Sequence, residues 1–234
     1  MLKNLFKDFE IKEWVLYLVS LIVVVGANLL SDEIDVVNVI ASIFGVTMLI
    51  FIAKGKVFGQ VLAVIFGLLY SVSALRISYY SEIITYLGMS VPIAVFSIIT
   101  WLKNPSGNND GAVKIRKFTV KEFLLLMVFA LVVTIGFYFI LKVLNTPNLV
   151  VATISIATSF SASYLMLRRI SYYAIAYSLN DIVLIVLWII ASVNNLENLT
   201  FVACFFMFLF NDLYAFVRWK LRESEQTKTK IKRA

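Results

Sequence analysis

Residues 123–144 read FLLLMVFALVVTIGFYFILKVL, with no charged side chain before Lys142. A bilayer's hydrocarbon core is about 30 Å thick, and a helix rising 1.5 Å per residue crosses it in about 20 residues. The stretch has that length and no strict alternation of apolar and polar positions, so it reads as a spanning helix and not as a barrel strand. Working outward, similar runs occupy 14–30, 37–53, 58–75 and 83–102 before it, and 149–167, 172–193 and 199–217 after it. The expectation is an all-α membrane protein with eight transmembrane helices.

Composition agrees. The 234 residues are 61% hydrophobic and 15% charged, with a mean hydropathy of +0.91. Soluble domains run about 45–50% apolar and about 25% charged. A water-soluble enzyme is a poor reading, and so is a soluble nucleic-acid binder, despite the net charge of +7. The chain has no histidine, which removes the commonest general base and metal ligand. Its single cysteine, Cys204, lies inside an apolar run, where it reads as a small buried hydrophobe. Glycine-rich phosphate loops are absent. No cofactor, metal or catalytic residue is expected.

Basic residues orient such a chain through its short loops. With the N-terminus inside, 19 of the 21 Lys and Arg fall on the inner side; only Arg76 and Lys142 fall outside. The outer loops carry Asp32, Glu33, Asp35, Glu82 and Glu197 instead. Both termini are therefore expected in the cytoplasm. The first segment follows mixed charge from Lys3 to Glu13 and shows no small-residue cleavage motif, so it reads as a retained helix. The tail after Trp219 reads as an anchor near anionic lipid, with no nucleic-acid partner. Residues 103–117, with Pro105, Gly107, Asn108, Asn109 and Gly111, read as a flexible polar linker.

An internal repeat is also visible. Spans two to four end in Thr100-Trp101-Leu102-Lys103, and spans six to eight end in Val217-Arg218-Trp219-Lys220. Each triplet begins near an Asn, Asn38 or Asn148, and each has a basic pair after its first span, Lys54/Lys56 or Arg168/Arg169. The intervening fifth span sets the two triplets parallel, a plan that places substrate near the midplane between halves.

Polar side chains at membrane depth are costly and tend to face an interior cavity. Tyr177, Asn180 and Asp181 lie three and four apart in span seven and share a face, which Trp188 extends two turns on. Span eight carries Asn211, Asp212 and Tyr214; Asp212 reads equally as a site residue or as a partner for Arg218. Span three adds Gln60 and Tyr70, and span four adds Tyr86, Ser90 and a kinking Pro92. Trp14, Tyr79, Tyr80, Trp101 and Trp219 sit where an interfacial aromatic belt is expected.

Two stretches carry a family resemblance. Leu69-Tyr70, Tyr80-Ser81-Glu82, Pro92 and Trp101 form one; Arg169, Tyr177, Asn180-Asp181, Trp188, Asn211, Tyr214, Phe216 and Trp219 form the other. Together they resemble the PnuC family of bacterial vitamin transporters. The family's paired tryptophans of span seven stand here as Ala174 and Tyr177, its glycine before Phe216 as Ala215, and an Asn of span four as Tyr86. The resemblance implies a SWEET-like pair of three-helix repeats, 37–102 and 148–219. Around them lie an N-terminal segment and helix over 1–36, a loop over 103–118, a linker helix over 119–147 and a basic tail over 220–234.

It further implies a homotrimer in the bacterial inner membrane, with lipid around it and a small-molecule substrate. That substrate would be nicotinamide riboside, taken up by facilitated diffusion and trapped by a cytoplasmic kinase. Thiamine, riboflavin or a deoxynucleoside are the alternatives, and an intramembrane enzyme or a scaffold the remote ones. The expected substrate-binding residues are Gln60, Tyr70, Tyr86, Tyr177, Asn180, Asp181, Trp188, Asn211 and Tyr214. Tyr177 and Trp188 would stack the ring, and Asn180, Asn211 and Gln60 would bond its amide or the ribose. Asp181 would take a hydroxyl or a cationic ring.

Overall fold

The computed structural model describes residues 6, 8–29, 36–76, 80–107, 111–193 and 198–232. Lys3, Lys7, Asp32, Glu33, Asp35, Tyr79, Asn108, Asn109, Glu197 and Arg233 therefore lie outside the described residues. The helices are α1 (Ile11–Leu29), α2 (Val36–Ala53), α3 (Val57–Arg76), α4 (Tyr80–Thr85), α5 (Val91–Leu102), α6 (Val120–Val143), α7 (Leu149–Leu167), α8 (Tyr173–Ser192) and α9 (Leu199–Lys232). A π-helical turn, Tyr86–Ser90, joins α4 to α5 into one span. Among the described residues eight helices are long and apolar enough to cross a membrane.

The π turn has a local cause. Pro92 has no backbone N–H to give to Gly88 four residues back, and its ring crowds that carbonyl. A one-turn widening just before the proline absorbs the misfit. The helix bulges at Tyr86 and Ser90, and both reach the central cavity described below.

α6 starts where Thr119 caps it, its hydroxyl accepting from the Glu122 N–H at 3.3 Å. Beyond the helix, Asn145 and Asn148 take left-handed backbone, which Asn tolerates better than most residues. α6 packs on α7 and leaves most of its surface facing outward. α1 packs on both α2 and α9.

The turns after α2 and α7 match bond for bond. Lys54 N–H donates to Ile50 O, Gly55 N–H to Ile52 O and Lys56 N–H to Phe51 O. After α7, Arg168 donates to Tyr164, Arg169 to Met166 and Ile170 to Leu165. Gly55 and Arg169, at φ 69° and 62°, hold the left-handed residue of each turn. Two tryptophans then cross between triplets. Trp101 Nε1–H donates to Met166 O at 3.2 Å, and Trp219 Nε1–H to Ile52 O at 2.9 Å, with the two rings 5.5 Å apart. Both indoles are 1% exposed. They hold the helix triplets together and do not sit in an interfacial belt, unlike the more exposed Trp14 and Tyr80.

Three further features differ from the sequence reading. Residues 111–118 are a strap, not a loose linker: Val113 N–H donates to Gly55 O and Arg116 N–H to Arg169 O, both at 2.9 Å. Val113 and Ile115 are buried between exposed Lys114 and Arg116, an alternation that lays an extended segment across the turns after α2 and α7. The basic tail continues α9 as far as Lys232; Gln226 accepts from the Ile115 N–H, and Arg222 donates to Lys54 O. Glu82, counted with the outer loops, is 3% exposed inside α4.

α3 meets α2 closely at Gly59. A Cβ there would lie 2.7 Å from the Ile52 backbone nitrogen and 3.0 Å from Met48 O, and backbone cannot swing aside. Gly59→Ala is therefore expected to force the pair apart and cost about 1–3 kcal/mol of stability. Unfolding of the detergent-solubilised protein would read this. An unchanged melting temperature would mean that the turn relaxes freely.

Candidate functional site

Between the triplets lies a cavity of about 70 Å³. Its two sides differ in chemistry. α2 and α3 contribute Met48, Leu49 and Phe66, and span four contributes Tyr86, Ser90 and Ala94. α7, α8 and α9 contribute most of the polar groups: Ser159, Tyr173, Tyr177, Asn180, Asp181 and Asp212.

Apolar packing lies at each end. Away from Lys54 and Arg168, Phe66, Tyr70, Tyr86, Phe201 and Phe205 interlock, with Tyr70 and Tyr86 rings 4.5 Å apart and Tyr70 and Phe201 5.8 Å apart, edge to face. Toward the basic end, Trp101, Trp219 and Tyr173 pack with Val113 and Ile115 of the strap.

The α8 stripe exists as the spacing predicts. Tyr177 is held by a 2.8 Å hydrogen bond between its hydroxyl and that of Ser163. Asn180 Oδ1 accepts from Thr158 Oγ1 at 2.8 Å. Asp181 is 3% exposed, and its Oδ2 has no protein partner. Its neighbour across the α8–α9 interface is the Asp212 carboxyl, also 3% exposed. Asp212 does not meet Arg218, whose guanidinium turns to Glu10 at 2.8 Å.

Of the nine residues singled out from the sequence, Tyr86, Tyr177, Asn180 and Asp181 line this cavity. Gln60 is fully buried in α3, outside the lining, with both amide atoms unpartnered. Tyr70 lines a smaller cavity with Asn28, Asn38 and Cys204. Trp188 stacks on Phe201, centroids 4.2 Å apart, in the outer aromatic packing. Asn211 faces α1 and donates to Ser20 Oγ at 2.9 Å. Tyr214 donates to Glu13 Oε1 at 2.9 Å.

Tyr173 and Ser159 join the lining without having been selected, and Asp212, read equally as a site residue or as a partner for Arg218, joins it too. Tyr173 was within reach of the reading, since it precedes Tyr177 by four and extends the same stripe. Ser159 carried no signal: one serine among several in α7 is unremarkable.

At the basic end two acidic residues are gripped. Glu13 of α1 accepts from Lys54 Nζ at 2.6 Å, and Arg218 Nε lies 3.7 Å away. Glu122 of α6 accepts from Arg168, Nε at 3.0 Å, and from Arg116 at 2.8 Å. Arg168 lies just beyond α7, and its bond to Glu122 holds its guanidinium still more firmly protonated than usual. Among the described residues no cluster of His, Cys, Asp or Glu suited to a metal ion occurs.

The sequence model of a family described as nicotinamide mononucleotide transporters matches residues 35–221. The nicotinamide riboside transporter PnuC of Neisseria mucosa is 24% identical over 184 residues, covering 77% of this chain and 70% of that protein. A solved structure, the crystal structure of the vitamin B3 transporter PnuC, is similar with a TM-score of 0.83 at 22% identity. The match covers 95% of this chain and 96% of the solved one, so the two share a fold.

Proposed function

The chain belongs to the nicotinamide mononucleotide transporter family, and from that premise we propose that it carries nicotinamide riboside across the bacterial inner membrane by facilitated diffusion. One observation carries the reading: a cavity at the meeting of two helix triplets, in which Tyr177, Asn180 and Asp181 present polar groups at mid-span. Polar groups at that depth are retained where they meet a polar cargo. At about 70 Å³ the cavity is far smaller than the ~300–1,000 Å³ of pockets that enclose drug-sized ligands. A nucleoside therefore enters only if the halves part.

The matched turns after α2 and α7, and the crossed Trp101 and Trp219 bonds, support two parallel repeats that rock about the site. The basic end, with its Lys54, Arg168 and Arg218, is taken as cytoplasmic. The reading includes both termini in the cytoplasm, assembly as a homotrimer and trapping of the imported nucleoside by a cytoplasmic kinase. Substrate contacts fall to Tyr177 as the stacking ring, Asn180 as the amide partner and Asp181 as the hydroxyl or cation partner, with Tyr86 opposite.

Thermal unfolding of the purified protein with nicotinamide riboside, thiamine, riboflavin and a deoxynucleoside tests the cargo. A ligand at a hundredfold its Kd adds about 2.7 kcal/mol of stability, so nicotinamide riboside should raise the melting temperature most. In liposomes it should equilibrate with neither ATP nor an ion gradient. A larger shift with thiamine would reassign the cargo, and no saturable uptake of any of the four would sink the transporter reading.

A further inference from the structure

The strap of residues 111–118 changes owner part-way along its length. Ser106 N–H donates to Ala112 O at 2.8 Å, Val113 N–H to Gly55 O at 2.9 Å and Lys114 N–H to Asn104 O at 2.9 Å. Those partners follow α2 and α5, so residues 112–114 are held by the first triplet. Ile115 N–H donates to Gln226 Oε1 at 3.1 Å, and Arg116 N–H to Arg169 O at 2.9 Å. Those partners lie on α9 and just after α7, so residues 115 and 116 are held by the second. Only the peptide bond between Lys114 and Ile115 separates the two sets.

The tie has no slack. A fully drawn-out chain spans at most about 3.6 Å per residue, so Val113 to Arg116 covers about 11 Å, and this stretch is already extended. While both sets of bonds hold, the turns after α2 and α7 cannot draw apart. Val113 and Ile115 share an apolar cluster with Ile52, Met166 and Tyr173, three residues of the cavity lining. Parting of the triplets at this end therefore requires one set of bonds to break. The sets are unequal. The first consists of three backbone bonds. The second has a single backbone bond, a bond to the Gln226 side chain, which a rotamer change can withdraw, and an ion pair from Arg116 to Glu122 of α6. Arg116 is 44% exposed in that pair, so water screens it.

We infer that the strap is a latch, which stays on the first triplet and lets go of Arg169 and Gln226 each time the cavity opens toward the basic end. The crossed tryptophan bonds can break one by one, because each is a single side-chain contact. The strap is one continuous chain, so it must release a whole side. This rests on the reading of the cavity as a transport site whose halves part. It goes further by naming the segment that restrains them and the side on which that segment yields.

Two reversible ties test it in the full-length protein carrying Cys204→Ala. Lys56 and Ala112 face each other in an antiparallel bridge, a spacing that a disulfide spans; Lys56→Cys with Ala112→Cys, once oxidised, fixes the strap to the first triplet. Arg116→Cys with Arg169→Cys, bridged by a short bis-thiosulfonate, fixes it to the second. Reductant cuts both ties, so each protein serves as its own control. The second tie should lower nicotinamide riboside uptake into liposomes by about tenfold or more, as for a blocked gating step, and reduction should restore it. The first tie should leave uptake within about twofold, since that contact persists through the cycle.

Uptake that survives the second tie would overturn the latch, as would uptake lost with the first. Hydrogen exchange of the unmodified protein reads the same release without any cargo. The Ile115 and Arg116 amides should exchange about tenfold faster than those of Val113 and Lys114, because local opening exposes only the released side. Equal protection of all four amides would overturn the latch. Faster exchange at Ile115 and Arg116 in a protein that takes up none of the four candidate cargoes would keep the strap's release and remove the transport reading.

Discussion

Glu13→Ala is expected to cost about 3–5 kcal/mol of stability, the range for breaking a buried ion pair by removing one partner. The Glu13 carboxylate is fully buried near the start of α1 and takes four contacts: Lys54 Nζ at 2.6 Å, Tyr214 Oη at 2.9 Å, the Glu10 N–H at 2.8 Å and Arg218 Nε at 3.7 Å. Lys54 is 4% exposed; its ammonium also donates to Asp8 O at 2.7 Å and lies 5.0 Å from the centre of the Phe9 ring. Without the carboxylate its ammonium stays buried with one carbonyl and the Phe9 ring, and no counter-charge. The double substitution Glu13→Gln, Lys54→Met removes both charges and should recover much of the loss. Denaturant unfolding in detergent measures both. A Glu13→Ala protein as stable as the parent would show that α1 is dispensable to the packing of the other helices. That is a sharp test, because α1 precedes the family match, which starts at residue 35.

Glu122 sits in a closely similar frame. Each acid is the third residue of its helix, α1 or α6, follows a lysine and precedes an aromatic residue, Trp14 or Phe123. Each grips the first cation after the next helix, Lys54 or Arg168. The energetics differ because the surroundings differ. The side chains of Arg168 and Arg116 are 35% and 44% exposed, so water screens them. The Lys54 pair has no such screening, and it also ties α1 to the turn after α2 and to α9.

The eight spans were legible because bilayer thickness imposes a run length that few other structures need. Their irregularities were harder to read. Pro92 announced a break in span four but not that the break is a π turn aimed at the cavity. Val113 and Ile115 alternate with Lys114 and Arg116 over too few residues to outweigh the surrounding Pro, Gly and Asn, so the strap read as a loose loop. Trp101 and Trp219 fell at depths where a belt is usual. Their duplication at the ends of both triplets was the better signal, because each triplet needs the same donor against the other's turn.

The site was legible along the helix axis only in part. Helical spacing joined Tyr177, Asn180 and Asp181 correctly, since residues three and four apart share a face. Trp188 shares that face too, but seven residues at 1.5 Å each carry it about 10 Å further along, past the cavity and into the outer aromatic packing. Adjacent Asn211 and Asp212 point about 100° apart on one helix, and sequence does not say which of the two faces α8. Packing does: Asn211 meets Ser20 of α1, and Asp212 meets Asp181. Tyr214, three beyond Asn211, follows it toward α1 and ends on Glu13.

Asn180→Ala is expected to weaken substrate binding by about 1–3 kcal/mol, or roughly 5- to 150-fold in Kd, as when a buried polar group loses its partner. The reason lies in how the amide is held. Thr158 donates to its Oδ1 at 2.8 Å, which commits the oxygen within the protein and leaves the amide nitrogen as a donor toward the cavity, where a ribose hydroxyl or carboxamide oxygen can accept. Thr158→Val should act through Asn180, loosening the amide without removing it, so its loss in Kd should be the smaller of the two. In the double variant the Thr158 effect should vanish, since nothing remains for Thr158 to position. Neither change opens a large cavity, so both proteins should melt near the parent and their binding can be compared directly. Titration calorimetry with nicotinamide riboside, paired with uptake into liposomes, reads the outcome. Additive losses in the double variant would separate Thr158 from Asn180, and an Asn180→Ala protein that binds as tightly as the parent would move the substrate elsewhere in the chain.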